Sequence, residues 1–377
     1  KSVTVLTSPD EYDNFSKELI KNKGQLEESY RFKLAKNAFS HTAHYDKAIS
    51  NYLSKNDQQI NFPNNLSQIM NKKMDMRYGE NPHQEAAFYT EPQIQKGAIA
   101  NFKQIQGKEL SFNNLNDSDT AWECVKLFSD PSCVIVKHAN PCGVCSAKTM
   151  KDAYEGAFLT DPTSAFGGII AINKEMDTET AKLIMKQFVE VIIAPSYSKE
   201  SIKIFKTKEN IRLLQVEINK LENQLDFKKI GGGWLVQSGD SHKLDINKCK
   251  VVTKLKPSAE QLKDLYFSWQ VAQYVKSNAI IFCKSKKTLG VGAGQMSRID
   301  STRIAAIKAK NANISLTNSV VASDAFFPFR DGIDALASYG AKCVIQPGGS
   351  LKDDEVIKAA DELGLIMLFT GIRHFKH

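Results

Sequence analysis

From Arg77 onward, short apolar β-rich runs alternate with stretches of helical spacing, and few architectures accommodate that rhythm. Val134-Ile135-Val136, Gly168 to Ile172 and Val191-Ile192-Ile193 have strand length, while Thr120 to Phe128 and Thr178 to Phe188 read as helices. The alternation predicts helices layered on a sheet. Gly231-Gly232-Gly233 marks a break, preceded by a charged stretch, 209–225, that reads as a surface helix. The same texture then resumes. A helix from Ser258 to Lys276, a hairpin through Phe282 and Leu289, and a helix from Ser301 to Lys310 lead to strand Val320 to Ser323. A helix from Asp331 to Tyr339, strand Cys343 to Gln346 and a helix from Asp353 to Leu363 complete the chain. No short-period repeat is present, so periodicity leaves open whether the two α/β stretches are related.

The amino-terminal part differs. Val3 to Leu6 reads as a short strand, and Ser8-Pro9-Asp10-Glu11 as a helix start with Ser8 at the N-cap. Leu34, Ala38, His41, Tyr45, Ile49 and Leu53 recur at helical spacing, which predicts a helix packed on a neighbour. Ser54 to Ser67, rich in Asn, Gln, Lys and Pro, is the linker candidate. The 377 residues, at about 150 per domain, suggest two or three folded units.

Composition narrows the function. A 42% hydrophobic, 24% charged chain buries enough surface to fold, which argues against disorder. Its longest apolar runs, such as Ala279 to Cys283, fall far short of a membrane span, and no secretory signal opens the chain. A start at Lys1 without Met has the look of a trimmed chain. Seven cysteines, an odd number, point to a reducing, cytoplasmic setting. The net charge of +8 suits solvated lysines or an anionic substrate, and its scatter argues against nucleic acid.

Four constellations carry possible chemistry. Pro141-Cys142-Gly143-Val144-Cys145 and His83-Gln84-Glu85 fit the two halves of the zinc deaminase signature, at an unusually long separation. Lys137-His138 comes after an apolar strand, and Pro141 disfavours helix at Asn140, so the pair sits at a strand end where α/β proteins place ligands. Gly290-Val291-Gly292-Ala293-Gly294-Gln295 lacks the last glycine of a dinucleotide fingerprint and reads as a loop approaching a ligand. Phe326, Phe327 and Phe329 around Pro328 suit either core or a slot for a flat heterocycle, with Asp331 accepting from ring N–H groups.

Taken in order, several motifs resemble one family. They are Arg77-Tyr78-Gly79-Glu80-Asn81-Pro82-His83-Gln84, Lys137-His138-Ala139-Asn140-Pro141-Cys142-Gly143 and Asp161-Pro162-Thr163-Ser164-Ala165-Phe166-Gly167-Gly168. Gly292-Ala293-Gly294-Gln295-Met296-Ser297-Arg298, the segment Ser323 to Asp331, and Arg373-His374-Phe375-Lys376-His377 complete the set. Together they resemble the transformylase part of the bifunctional AICAR transformylase/IMP cyclohydrolases of de novo purine biosynthesis. The likeness implies two tandem cytidine-deaminase-like α/β units, at 66–230 and 231–377, without the deaminase zinc. Residues 1–65 are similar to the tail of the cyclohydrolase domain and its helical linker. The phosphate-binding and catalytic segments of that domain lie upstream in the family, so the expectation is no cyclohydrolase activity in this stretch.

The resemblance also implies a reaction and its residues. The enzyme, a phosphoribosylaminoimidazolecarboxamide formyltransferase, moves a formyl group from the co-substrate 10-formyltetrahydrofolate to the 5-amino group of AICAR, without a metal. It implies His138 as general base, Lys137 as cationic stabiliser and Asn278 as a hydrogen-bonding partner near the reacting groups. Arg77 and Arg373 would clamp the nucleotide phosphate, a task that suits a guanidinium fork. Tyr78, Gly167, Arg298 and Phe326 would line the nucleotide pocket, with Glu190 as its acidic contact. Ile299, Asp331, Ser350 and Leu351 would meet the folate. The family also implies a homodimer with shared active sites.

Overall fold

The computed structural model describes residues 3–56, 62–219 and 225–377. They form two compact units, one of Lys1–Asn71 with Tyr89–Pro92, the other of Lys72–Phe88 with Gln93–His377. In the first unit Val3 to Leu6 is irregular rather than a strand, since it has no ladder partner among the described residues. Ser8 does cap: its hydroxyl accepts from Asp10 N–H at 3.3 Å, opening a single 3₁₀ turn that leads into α1 (Tyr12–Lys21). Helix α2 (Glu28–Asn56) carries the expected stripe. Among its described residues Leu34 alone is buried, while Tyr45, Ile49 and Leu53 are exposed, so the stripe packs only near its start. Of the linker candidate, residues 57–61 lie outside the described residues and 62–67 are irregular.

Strands β1 (Asn71–Met76) and β2 (Ala86–Thr90) form a small sheet. Then come β3 (Lys103–Gln106), α3 (Phe112–Val125), the hairpin β4 (Ser132–Lys137) and β5 (Asn140–Ser146), α4 (Met150–Thr160), α5 (Pro162–Ala165) and β6 (Gly168–Ile172). Helix α6 (Thr178–Ile184), β7 (Val189–Ala194), α7 (Lys199–Phe205) and β8 (Arg212–Gln215) complete this stretch. Of the expected surface helix at 209–225, residues 220–224 lie outside the described residues, and Arg212-Leu213-Leu214 joins the sheet instead, because pairing with β7 and β3 buries both leucines. The glycine triplet turns an outlying hairpin of β9 (Leu225–Ile230) and β10 (Gly233–Ser238).

The remaining chain repeats the pattern. It runs β11 (Lys250–Val251), α8 (Ala259–Ala272), the hairpin β12 (Ile280–Lys284) and β13 (Lys287–Gly292), α9 (Arg298–Asn311), β14 (Ser319–Ser323), α10 (Asp331–Ser338), β15 (Ala341–Gln346), α11 (Asp353–Glu362) and β16 (Ile366–Phe369). One twelve-stranded sheet joins both stretches in the order β11-β16-β15-β14-β12-β13-β5-β4-β6-β7-β8-β3. Counted outward from the central β13–β5 pair, the two halves have the same strand order and the same parallel and antiparallel pairings. The chain is internally duplicated about an approximate twofold axis between β5 and β13.

The duplication reaches single hydrogen bonds. Helices α3 and α8 both start with a capping box, Ser111 with Asn114 and Ser258 with Gln261. Ser132 N–H donates to the Asn173 side chain at 2.8 Å, as Ala279 N–H does to Asp324 at 3.1 Å. Gly167 and Asn318 occupy equivalent positive-φ positions before β6 and β14.

Three layers result. Helices α3 and α8 cover one sheet face, where Val134, Val136, Ile281 and Cys283 point. Residues of opposite parity, such as Ile135 and Phe282, pack beneath α4, α6 and α7 or beneath α9, α10 and α11. Burial on both faces explains why these strands read as continuous apolar runs. Gly290 and Gly292 have a packing reason rather than the expected ligand-approaching one. A Cβ on either would strike a backbone carbonyl of α9, that of Ala305 or Ser301, and Gly143 meets Ala157 of α4 in the same way. Gly143→Ala should cost about 1–3 kcal/mol by overpacking. A lower denaturant midpoint with unchanged slope would show it, and an unchanged midpoint would refute it.

Candidate active site

The twofold arrangement puts unlike strand ends on the same sheet edge. One edge collects the end of β4, the starts of β5, β6, β7, β8 and β12, and the ends of β13, β14, β15 and β16. Every sequence-predicted site residue of the sheet and its connections lies along this edge.

Lys137 ends β4, and His138-Ala139 form the two-residue turn to Asn140. Both turn residues have φ near +54°, as hairpin turns of this length require. Positive φ is uncommon for His. The Asp117 carboxylate, from α3, accepts both turn amides, His138 N–H at 3.1 Å and Ala139 N–H at 2.7 Å. Burial raises the Asp117 pKa, with the two amides and neighbouring His138 and Lys137 pulling it back in part. Lys137 Nζ donates to the carbonyls of Phe166 and Gly167, each at 3.1 Å. An ammonium has three donors, so one remains for a ligand.

Beside this turn, Gly167 N–H donates to Phe188 O at 2.9 Å, and Phe188 lines a cavity of about 440 Å³. Arg77, Tyr78, Lys108, Asn114, Glu190 and Arg212 share its wall. The Glu190 carboxylate accepts from Asn114 Nδ2 at 2.9 Å and has Arg212 Nη1 at 3.8 Å. Burial lowers the Arg212 pKa, and Glu190 opposes that. Lys108 and Arg212 add positive charge that suits an anionic group. Sequence reasoning assigns neither Asn114 nor Arg212 to the site. A capping-box asparagine and a strand arginine carry no local signal of a pocket.

On the other side, the Asn140 side chain accepts from Lys276 N–H at 2.9 Å, tying the turn to the segment before β12. Asn278 comes next, its N–H and Nδ2 both donating to Gln295 O at 3.2 and 2.8 Å. Arg298, at the start of α9, pairs through Nη2 with Asp324 at 3.1 Å. Burial pulls the guanidinium pKa down, and the carboxylate resists it. Asp324 is fully buried at the end of β14, and the sequence gives no sign of its role although it lies within the Ser323 to Asp331 motif. Its backbone carbonyl accepts His374 N–H at 3.1 Å, which draws the last residues across this edge. Arg373 and Arg298 face the Phe375 ring at 4.3 and 6.0 Å.

Of the three phenylalanines, Phe327 is core, Phe326 is half-buried and Phe329 is exposed. Ile299 is next to Arg298 on α9, Asp331 starts α10, and Ser350 and Leu351 lie between β15 and α11, so all four share this edge. The deaminase-like cysteines behave differently. Cys142 and Cys145 are buried in β5, and burial pushes their thiols up to about 12 and about 11. Among the described residues no three His, Cys, Asp or Glu side chains are grouped to hold a metal ion, and no helix is long and apolar enough to cross a membrane.

The fold and this edge define an internally duplicated α/β protein in which Arg77 and Arg212 line one cavity, Arg298 and Arg373 share the Phe375 ring, and His138 is exposed on its turn, an arrangement whose positive charge suits an anionic group. The chain matches the model of the AICARFT/IMPCHase bienzyme family over residues 1–308. It belongs to that family, and so to the AICAR transformylase/IMP cyclohydrolase proteins of purine biosynthesis.

Proposed function

We propose that this chain is the formyl-transferring part of the bienzyme, passing a formyl group from 10-formyltetrahydrofolate to the 5-amino group of AICAR. The observation that carries this reading is a difference between equivalent hairpins. In the second half, Lys284 precedes Ser285-Lys286, and Lys284 Nζ donates to Thr317 O at 3.4 Å just as Lys137 does to Phe166 O. The lysine and its carbonyl are thus shared scaffold, whereas the imidazole belongs to one turn only.

The AICAR amine is a weak nucleophile because its lone pair delocalises into the ring and carboxamide. His138 accepts its proton as the N–C bond to the formyl carbon forms, and the free donor of Lys137 meets the oxyanion. Collapse expels the tetrahydrofolate nitrogen, which leaves as N–H with the proton that His138 took up. Asn278, anchored on Gln295, hydrogen-bonds beside the reacting atoms. Tyr78, Gly167, Glu190, Arg298 and Phe326 hold the nucleotide between Arg77 and Arg373. Ile299, Asp331, Ser350 and Leu351 receive the folate. The reading carries with it a homodimer, which brings the two sides of this edge to a shared site.

The test is AICAR-dependent release of tetrahydrofolate from 10-formyltetrahydrofolate. Release that is saturable in both substrates is expected; none at any concentration overturns the reading. Arg373→Ala should weaken AICAR binding about 10- to 100-fold, by loss of a charge-assisted phosphate contact worth roughly 1.5–3 kcal/mol. It should leave the unphosphorylated nucleoside unaffected, and equal weakening of both ligands would remove Arg373 from the phosphate clamp.

A further inference from the structure

We propose that Asp117 is a positioning residue for formyl transfer, fixing the His138 imidazole by holding the backbone of its turn. The inference rests on the formyl-transfer reading. Left-handed backbone strains a residue that carries a Cβ, and this turn has two such residues in succession, His138 and Ala139. The direction of a side chain is set by its own backbone, so any relaxation of the turn swings the imidazole with it. Asp117 opposes that relaxation with one carboxylate taking both amides at 3.1 and 2.7 Å. The carboxylate is itself held by α3, whose capping box and buried Leu115, Ala121 and Trp122 make a rigid support.

The duplication supplies an internal control. Asp264 of α8 accepts Ser285 N–H at 2.8 Å and Lys286 N–H at 2.7 Å, and those two residues have φ of +54° and +53°. The two aspartates therefore do the same structural work on turns of the same geometry. They differ in what the turn carries: His138 in one case, Ser285 on the opposite sheet edge in the other. A purely structural role predicts equal consequences for the two, and a positioning role does not.

The test compares Asp117→Asn with Asp264→Asn in the full chain, measuring thermal midpoint, kcat and the KM for AICAR. An amide accepts one N–H but turns its own NH₂ toward the other, so each substitution loses half of the clamp. Similar drops in midpoint are expected. Asp117→Asn should lower kcat about 20- to 100-fold, the scale of an ångström-sized misplacement of a catalytic group, with KM within about threefold. Asp264→Asn should leave kcat within about twofold. Equal changes in kcat for the two variants, or none in either, overturn the proposal. Should either asparagine variant fail to fold, Asp117→Glu against Asp264→Glu carries the same comparison, since glutamate keeps the charge one methylene farther out. His138→Ala in the same assay separates the two levels of inference. If it is inactive while the aspartate pair behaves alike, the transfer reading stands and the positioning role falls. If it turns over normally, both fall.

Discussion

Replacing His138 with Ala is expected to reduce formyl transfer about 10²- to 10⁴-fold, the usual contribution of a positioned acid–base group, while AICAR binding changes little. The expectation comes from where the side chain sits. His138 is exposed at the tip of the β4–β5 turn, and its backbone rather than its ring is what Asp117 holds. Removing the imidazole therefore disturbs no buried contact, and alanine tolerates this turn as Ala139 already does. Stability should stay within about 0.5 kcal/mol, the range of surface substitutions. In the proposed reading nucleotide affinity is carried elsewhere, by the cavity that Arg77, Tyr78 and Glu190 line and by the segment of Arg298 and Arg373. Single-turnover rates and equilibrium AICAR binding on the same preparation decide the matter. Binding lost in proportion to rate would make His138 a contact residue rather than a base.

That turn is legible in the sequence for a physical reason. Val134-Ile135-Val136 is buried on both faces and so reads as an unbroken apolar run, and Pro141 holds the chain extended on the far side of the turn. The same two-sided burial marks β6, β7, β14 and β15. It fails at the sheet margins. Strand β3 is Lys103-Gln104-Ile105-Gln106 and β11 has two residues, so neither buries enough to leave a pattern. Strand β8 reads as helix because charged neighbours on both sides mimic amphipathic spacing. The duplication is invisible for a deeper reason: it lives in strand order and backbone bonding. Equivalent positions such as His138 and Ser285, or Asn173 and Asp324, share a geometric task without sharing a residue. Asp117 is equally hidden, since its partners are backbone amides 21 and 22 positions away. Arg77, Tyr78 and Glu190, widely separated in the chain, are grouped in the sequence by resemblance alone, and the structure places them around one cavity.

Asp324 should prove the most sensitive position of the edge for stability. It is fully buried, and its carboxylate makes three bonds: from Ala279 N–H and Arg298 Nη2, each at 3.1 Å, and from Ser277 Oγ at 2.5 Å. Alanine would strip all three at once, leaving the start of β12 with an unsatisfied amide and Arg298 with an uncompensated charge. Arg298 keeps its Nε bonds to Ser323 Oγ and Ala325 O at 3.1 and 3.3 Å, which hold the guanidinium in place and prevent its escape to water. Breaking one side of a buried pair in this way costs about 3–5 kcal/mol. Asp324→Asn should be milder, and the equivalent position shows why. Asn173 satisfies Ser132 N–H at 2.8 Å with a neutral amide, so an asparagine oxygen is enough for the strand. What the carboxylate adds is the charge opposite Arg298. Asp324→Asn should therefore lose roughly 1–3 kcal/mol, the cost of an unsatisfied buried partner, and that loss should shrink in an Arg298→Met background, where no cation remains to compensate. Denaturant midpoints for the four chains give the coupling directly. A loss below about 1 kcal/mol for Asp324→Ala, or full additivity of Asp324→Asn with Arg298→Met, would show that the pair does not anchor this edge.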